Sequence, residues 1–334
     1  MLSRVADAIY WMSRYVERAE NVARVVDVKL SLAIDVPEAD EHWLPLVQAT
    51  GDEETFVARY GAEATRENVL RFLSFDRDAP NSILSLLTKA RENARTVREI
   101  ISSDIWEQLN HSYLMVRDAA SSDGILDAPH DLFTQIKQAS QLFVGVTYLT
   151  MTHNEAWHFA RVGRLAERAG QTARILHLKH FMRSAEPSIT DSAFDEIQWQ
   201  ALLRSASAFE MYRKRFGQVV PDRVLEFLLF SRRFPRSVRY CVRKAERSLH
   251  AITGVPLGTA GTLAERELGR LAAELDYGEV AEVLSTGLHL WLETFQVRLD
   301  KAAAAIESSF FGHAPPANED PRSSVILLGG QRQF

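Results

Sequence analysis

The segment RYVERAENVARVVD, from Arg14 to Asp27, returns as RLAERAGQTARILH, from Arg164 to His177, with Arg, Glu, Arg, Ala, Ala and Arg at matching positions. Wound at about 100° per residue, Met12, Tyr15, Val16, Ala19, Val22, Ala23 and Val26 fall on one arc of the first copy, and Tyr10, Arg14, Glu17, Asn21 and Arg24 on the opposite one. The second copy sorts alike: Val162, Leu165, Ala166, Ala169, Thr172, Ala173 and Leu176 on one side, Arg164, Glu167, Gln171 and Arg174 on the other. Each copy can therefore pack one side against a core while presenting arginine on the other, and the chain uses this type of helix at least twice.

Helical spacing of apolar residues continues almost everywhere, with no run of alternating β-branched residues suited to a half-buried strand. The expected fold is all-α, a multi-helix bundle of long helices. Breakers punctuate it: Pro37 ends the first helix, Pro80 and Asn81 open one reaching about Asn110, and the turn Ser121–Gly124 precedes another. Asn154 can cap the helix with the second copy, Pro187 closes it, and Asp191 or Ser192 starts the next. Gly217 with Pro221 separates that helix from a short apolar one, and Pro235 sits at a first helical turn. Gly254, Pro256, Gly258 and Gly261 form a loop before two more helices, the last expected from about Tyr277 to Phe311. The spacing of the echo suggests two related halves, 1–150 and 151–312, packed as one unit of 1–312 with its most plausible joint at Ala185–Asp191, followed by a flexible tail, 313–334.

Composition bounds the function. With 334 residues, 46% of them hydrophobic, the chain can bury a large core without covalent help. A single cysteine, Cys241, excludes an intramolecular disulfide and a cysteine-rich zinc site, and the charge-interrupted start lacks the apolar stretch of a signal peptide, so a cytoplasmic location is expected. No segment suits a membrane span, and a net charge of −5 argues against a dedicated nucleic-acid binder.

Two readings of the polar arcs compete. Each can be a solvated surface laced by Arg–Glu pairs one turn apart. Against this, both copies place Arg at both ends with Glu and an amide residue between, and the planar guanidinium fork suits bidentate pairing with carboxylate or phosphate in a way lysine cannot imitate. Other helices extend the pattern: Arg91, Glu92, Asn93, Arg95, Arg98 and Glu99 with Trp106 and Asn110, then Arg236, Arg239, Arg243 and Glu246, then Glu293 and Arg298 near Trp291. Facing helices of this kind can build an internal polar seam or a cleft.

The blocks MLSRVADAIYWMSRYVERAENVAR, RENARTVREIISSDIWEQLN, FARVGRLAERAGQTAR and FLLFSRRFPRSVRYC together resemble the bacterial alpha-E family, all-helical proteins named for glutamates on their helices. The likeness covers nearly the whole chain before the tail, although the family more often has Gly where Ser13 stands. It implies association with circularly permuted ATP-grasp proteins and transglutaminase-like proteins, and hence a role in forming, modifying or turning over peptide or amide bonds. The matching positions are Arg14, Glu17, Arg18, Glu20, Asn21 and Arg24; Glu92, Asn93 and Trp106; Arg164, Glu167 and Arg168; and Pro235, Arg236 and Ser237.

Two jobs are open to these residues. They can form a buried scaffold that fixes helix register. Alternatively, Arg14, Arg24, Arg164 and Arg174 can bind an anionic peptide or amino-acid end or a phosphorylated intermediate, with Glu17 or Glu167 as the catalytic proton acceptor and Arg18, Asn21, Glu92, Asn93 and Arg168 around them. Arg232, Arg233, Arg236 and Ser237 around Pro235 make a second candidate anion site at a helix start. No metal or cofactor is expected: Glu155 and His158 give one Glu-x-x-His pair without the second that a di-iron bundle needs, and His177 with His180 lacks a third ligand nearby. Cys241 reads as a packed residue, no phosphate-binding loop or nucleophile elbow is present, and the tail Ser323–Phe334 can dock on a partner. The expected function is a helical partner or substrate-presenting protein for ATP-grasp-dependent ligation; the alternative is an aminoacyl or amide transferase.

Overall fold

A computed structural model describes residues 1–35, 42–122, 124–126, 129–185 and 192–312, without the side chains of 35, 180–185 and 192–194. Pro37, Pro187, Asp191, the side chain of His180 and the tail 313–334 lie outside the described residues. Among the described residues the fold is all-α, with fifteen α-helices. They are α1 Ser3–Asp35, α2 Leu44–Thr50, α3 Glu53–Tyr60, α4 Arg66–Phe75, α5 Ile83–Thr96, α6 Ser103–Ala119, α7 His130–Thr150 and α8 Glu155–Ala185. There follow α9 Ser192–Ser205, α10 Phe209–Phe216, α11 Pro221–Leu225, which runs into a π turn at Glu226–Phe230, α12 Val238–Thr253, α13 Leu263–Tyr277, α14 Val280–Thr286 and α15 Leu288–Phe310.

Local chemistry sets the helix starts. Thr65, Ser82, Ser102, Ser237 and Thr262 each accept a hydrogen bond from the N–H three residues on, filling one of the unpaired donors of a first turn. Asn154 Oδ1 accepts from the N–H of Ala156 at 3.1 Å, so it caps α8 as its position suggested. Four expected boundaries differ, one of them the helix expected from Ser192 to Gly217, which breaks between Ser205 and Phe209. The helix opened near Pro80 ends at Thr96, and α6 starts anew behind the Ser102 cap. Pro235 lies in the turn before α12, because the Ser237 hydroxyl caps the first turn itself. The final helix is split at Gly287, whose φ of 89° is open to glycine but strained for other residues.

Helices α1 and α8, the two copies of the motif, pack against one another at the centre. Around α1 lie α5 and α7, joined through α6; around α8 lie α12 and α15, joined through α13. The packing order thus recurs, and the sequence carries a second echo in register with it: FLSFDRDAPNS at Phe72–Ser82 and FLLFSRRFPRS at Phe227–Ser237 lead into α5 and α12. One apolar cluster runs from Ala6 to Phe311 through residues of both copies, so the core shows no break near residue 150.

Candidate functional site: a reciprocal charge seam between the repeated helices

The apolar arcs are buried as expected, Tyr15 only in part, but the polar arcs are not a solvated surface. Tyr10, Glu17 and Asn21 are buried to within 2% of complete exclusion, and Arg24 and Glu167 are nearly so. The reason is position: α1 has α5, α7 and α8 around it and α8 has α1, α12 and α15, so neither helix keeps a free side.

The buried carboxylates are satisfied across the interface in a crossed pattern. Arg18 reaches Glu167 with Nε at 2.7 Å from Oε1 and Nη2 at 2.9 Å from Oε2. Arg168, its counterpart in the second copy, reaches Glu17 with Nε at 2.8 Å from Oε1 and Nη2 at 2.6 Å from Oε2. Both pairs are two-pronged, the arrangement for which a guanidinium is shaped and an ammonium is not. The amide residues repeat as well: Asn21 donates to the Glu17 carbonyl at 2.8 Å, and Gln171 donates to Glu167 Oε1 at 2.9 Å.

The close approach that permits this crossing depends on a glycine. A Cβ at Gly163 would lie 2.4 Å from the carbonyl oxygen of Tyr10, so only a bare Cα fits between the two backbones. Gly163 occupies in the second copy the place that Ser13, buried, fills in the first.

Symmetry fails one turn away. Arg14 donates from Nε to Glu167 at 3.0 Å, is within reach of the Tyr10 hydroxyl, and lies over the Trp11 ring at 4.4 Å. Its counterpart Arg164 has a buried Nε with no hydrogen-bond partner. The second donor to Glu17 comes instead from Arg236, just before α12, at 3.3 Å. Arg236 also grips Glu20 at 2.7 and 2.9 Å, and Arg24 pairs with Glu20 and with Ser207. Arg18 donates from its third nitrogen, Nη1, to Oδ1 of Asn81 at 2.8 Å, at the position of the second echo that matches Arg236. Three carboxylates, Glu17, Glu20 and Glu167, therefore face five arginines paired to them, Arg14, Arg18, Arg24, Arg168 and Arg236.

Electrostatics follow. Burial by itself would raise the Glu17 carboxyl, but Arg168, with Arg236 and Arg164 behind it, outweighs that and holds it at about 2. Glu167 is likewise driven well below the ordinary range, Arg18 and Arg14 overcoming the effect of burial. Burial and the like charge of Arg168 depress the Arg164 guanidinium to about 10, although Glu17 pulls the other way. The Arg174 guanidinium is also depressed, by burial first, although Glu167 pulls the other way.

The other residues singled out from sequence sit elsewhere. Glu92 pairs with Arg91 and Arg95 on the half-exposed side of α5, and Asn93 contributes its carbonyl to Thr96, so neither joins the seam. The Ser237 hydroxyl donates to the Ser231 carbonyl at 2.5 Å and caps α12, while Arg232 and Arg233 point to solvent. Cys241 is fully buried, with its thiol pushed up to about 12 by desolvation. Sequence reasoning missed Asn81 as a partner, reading it only as a helix opener; the echo between Phe72–Ser82 and Phe227–Ser237, which aligns it with Arg236, was the available signal.

A protein-family model described as "a predicted alpha-helical domain with a conserved ER motif" matches residues 1–311. The chain belongs to the Alpha-E family. Glu17–Arg18 and Glu167–Arg168 are Glu-Arg dipeptides of the kind that description names, and here each supplies the partner of the other. The Alpha-E chain is also 26% identical over 271 residues to an uncharacterized protein of Mycobacterium bovis, covering 75% of this chain and 30% of that protein. Uncharacterized proteins of two Mycobacterium tuberculosis strains match with the same identity and the same coverage. The chain thus spans about 30% of the length of the curated relatives it matches. No solved structure matches. No described helix is long and apolar enough to cross a membrane.

Proposed function

We propose that this Alpha-E chain is a non-catalytic helical partner that presents a carboxylate-bearing peptide or amino acid for ATP-grasp-dependent formation or modification of an amide bond. The observation that carries this reading is the state of the motif carboxylates. A general base works best with a pKa near the operating pH, whereas Glu17, at about 2, and Glu167, lower still, are ionised and already committed to two arginines each. Such groups accept protons poorly. Arginines outnumber carboxylates, and Arg164 keeps an unsatisfied Nε, so an anionic group suits the edge of the seam better than a proton acceptor does. In the mycobacterial relatives the matched region is a minority of a longer chain, in keeping with a unit that works beside other domains.

The test combines the purified chain with a circularly permuted ATP-grasp protein, ATP and carboxylate-bearing peptides. A complex, and amide product that depends on both proteins, is expected. Product formed by this chain alone from an acyl phosphate donor would replace the partner reading with the transferase one. Absence of any complex or of any effect on ATP turnover would remove the ATP-grasp connection.

A further inference from the structure

Three turns beyond Glu167 on α8, His177 lies against the start of α15. Its Nε2 is in hydrogen-bond contact with Nδ1 of His289, and the two rings are 4.6 Å apart between centroids. The other nitrogen of His289, Nε2, is 3.4 Å from Oε1 of Glu293, one turn further along α15. One ligand atom from each of the three residues lies within 4.8 Å of the others. We propose that His177, His289 and Glu293 form a binding site for a divalent transition-metal ion of the zinc type, with at least one coordination position left to water or a further ligand.

The argument starts from the donors. Two imidazoles and a carboxylate match the preferences of zinc and its first-row neighbours, whereas calcium and magnesium call for oxygen alone. His289 and Glu293 stand four apart on one helix, a spacing that puts both side chains on one face, and His177 closes the set from the facing helix. Around a tetrahedral ion, ligand atoms bound at about 2.0–2.1 Å sit roughly 3.3–3.5 Å apart. The widest separation in the cluster, at most 4.8 Å, closes by about 1.3–1.5 Å and the close His177–His289 contact opens to the same spacing, both within the reach of side-chain rotation. Two imidazole nitrogens face to face can share one proton or one metal ion, and since an imidazole offers only one nitrogen to a given ion, Glu293, which stands at Nε2 of His289, joins the set by a turn of the His289 ring or of its own side chain.

The frame is fixed. Gln296, on the same helix, donates to the Gly170 carbonyl of α8 at 2.8 Å, and a Cβ at Gly170 would already press on Leu299, so α8 and α15 are held in register beside the cluster. Access is open as well, since the His289 and Glu293 side chains are 34% and 39% exposed. Three protein ligands with an open position distinguish such a site from a closed structural zinc centre. In sequence the third and second ligands are hidden, because His289 follows His177 by 112 residues.

The test titrates the full metal-free chain with Zn²⁺ by calorimetry and with Co²⁺ by visible absorption. One equivalent of each is expected to bind, with the tetrahedral or five-coordinate cobalt spectrum and a rise in unfolding temperature on adding Zn²⁺. Loss of a mere second-layer partner typically weakens metal binding by about 10–100-fold, so His177→Gln and His289→Gln should each weaken it by at least about a hundredfold. Should either histidine variant lose its helical circular dichroism, Glu293→Gln, on the rim, applies the same criterion. Absence of saturable binding in the full chain, or binding left unchanged by these substitutions, would overturn the proposal.

Discussion

Arg18 and Glu167, separated by 149 positions in the chain, meet through two parallel hydrogen bonds of 2.7 and 2.9 Å in the middle of the molecule. The same dipeptide in each copy thus contributes one charge to each of two crossed pairs, and neither copy can satisfy its own glutamate without the other. The motif joins two helices, and its energetic consequences can be measured.

Removing Glu167 leaves Arg14 and Arg18 facing one another without their carboxylate. Glu167→Gln is expected to destabilise the fold by about 3–5 kcal/mol, the usual cost of breaking a buried ion pair from one side. In urea unfolding, a double-mutant cycle of Arg18→Met with Glu167→Gln should show strong coupling, the double variant losing much less than the sum. Simple additivity would mean that the pair does not act as a unit.

Acid should find the seam. The carboxyl of Glu17 is lowered from 4.5 in the unfolded chain to about 2 in the folded one, and Glu167 moves the same way. A depressed folded pKa gives stability that is fully present above the unfolded value and drains away as pH falls towards the folded one. Stability is therefore expected to drop between about pH 4.5 and pH 2, and the Glu17→Gln variant to show a shallower dependence across that window. Circular dichroism during acid titration distinguishes the two slopes.

Gly163 and Gly170 allow a graded comparison. An added methyl at Gly163 collides with the Tyr10 backbone, whereas at Gly170 it meets the end of the Leu299 side chain at 3.2 Å. Gly163→Ala should cost about 1–3 kcal/mol, in the range of an overpacked core, and Gly170→Ala distinctly less. Equal urea midpoints for the two variants would contradict the close approach of α1 and α8.

Arg164 and Arg168 sit one turn apart on α8 and should behave differently. Arg168 holds Glu17 with two short bonds, while Arg164 carries a buried Nε without a partner and a guanidinium depressed by burial. Arg168→Met is expected to be severely destabilising, and Arg164→Met to lie within about 1 kcal/mol of the parent or to stabilise it. Chemical denaturation of the pair of variants, without added anions, reads the difference directly.

Much of this was legible in the chain. The 3.6-residue period gave the all-α class, Asn154 announced its cap, and the Arg-Glu echo marked both central helices with their apolar faces. Arg at both ends of each copy pointed to pairing over a free surface, but the two-pronged pairs are made by Arg18 and Arg168 in the middle of each copy, while Arg14 makes a single bond to Glu167 and Arg164 keeps an unpartnered Nε. The Thr96 break and the Gly287 division were not anticipated, since each interrupts a run whose apolar spacing continues on both sides. Asn81 and Arg236 escaped as equivalents because their side chains differ while their flanks agree.

Local sequence determined which residues are helical and which carry charge, because caps, period and glycine conformations act over a few residues. The partner of each charge was decided by tertiary structure alone. Whether Glu17 meets Arg14, Arg18 or Arg168 depends on how two backbones approach at Gly163, and only the helices packed around α1 and α8 exclude water from both polar arcs and turn what reads as an amphipathic surface into a buried, crossed seam.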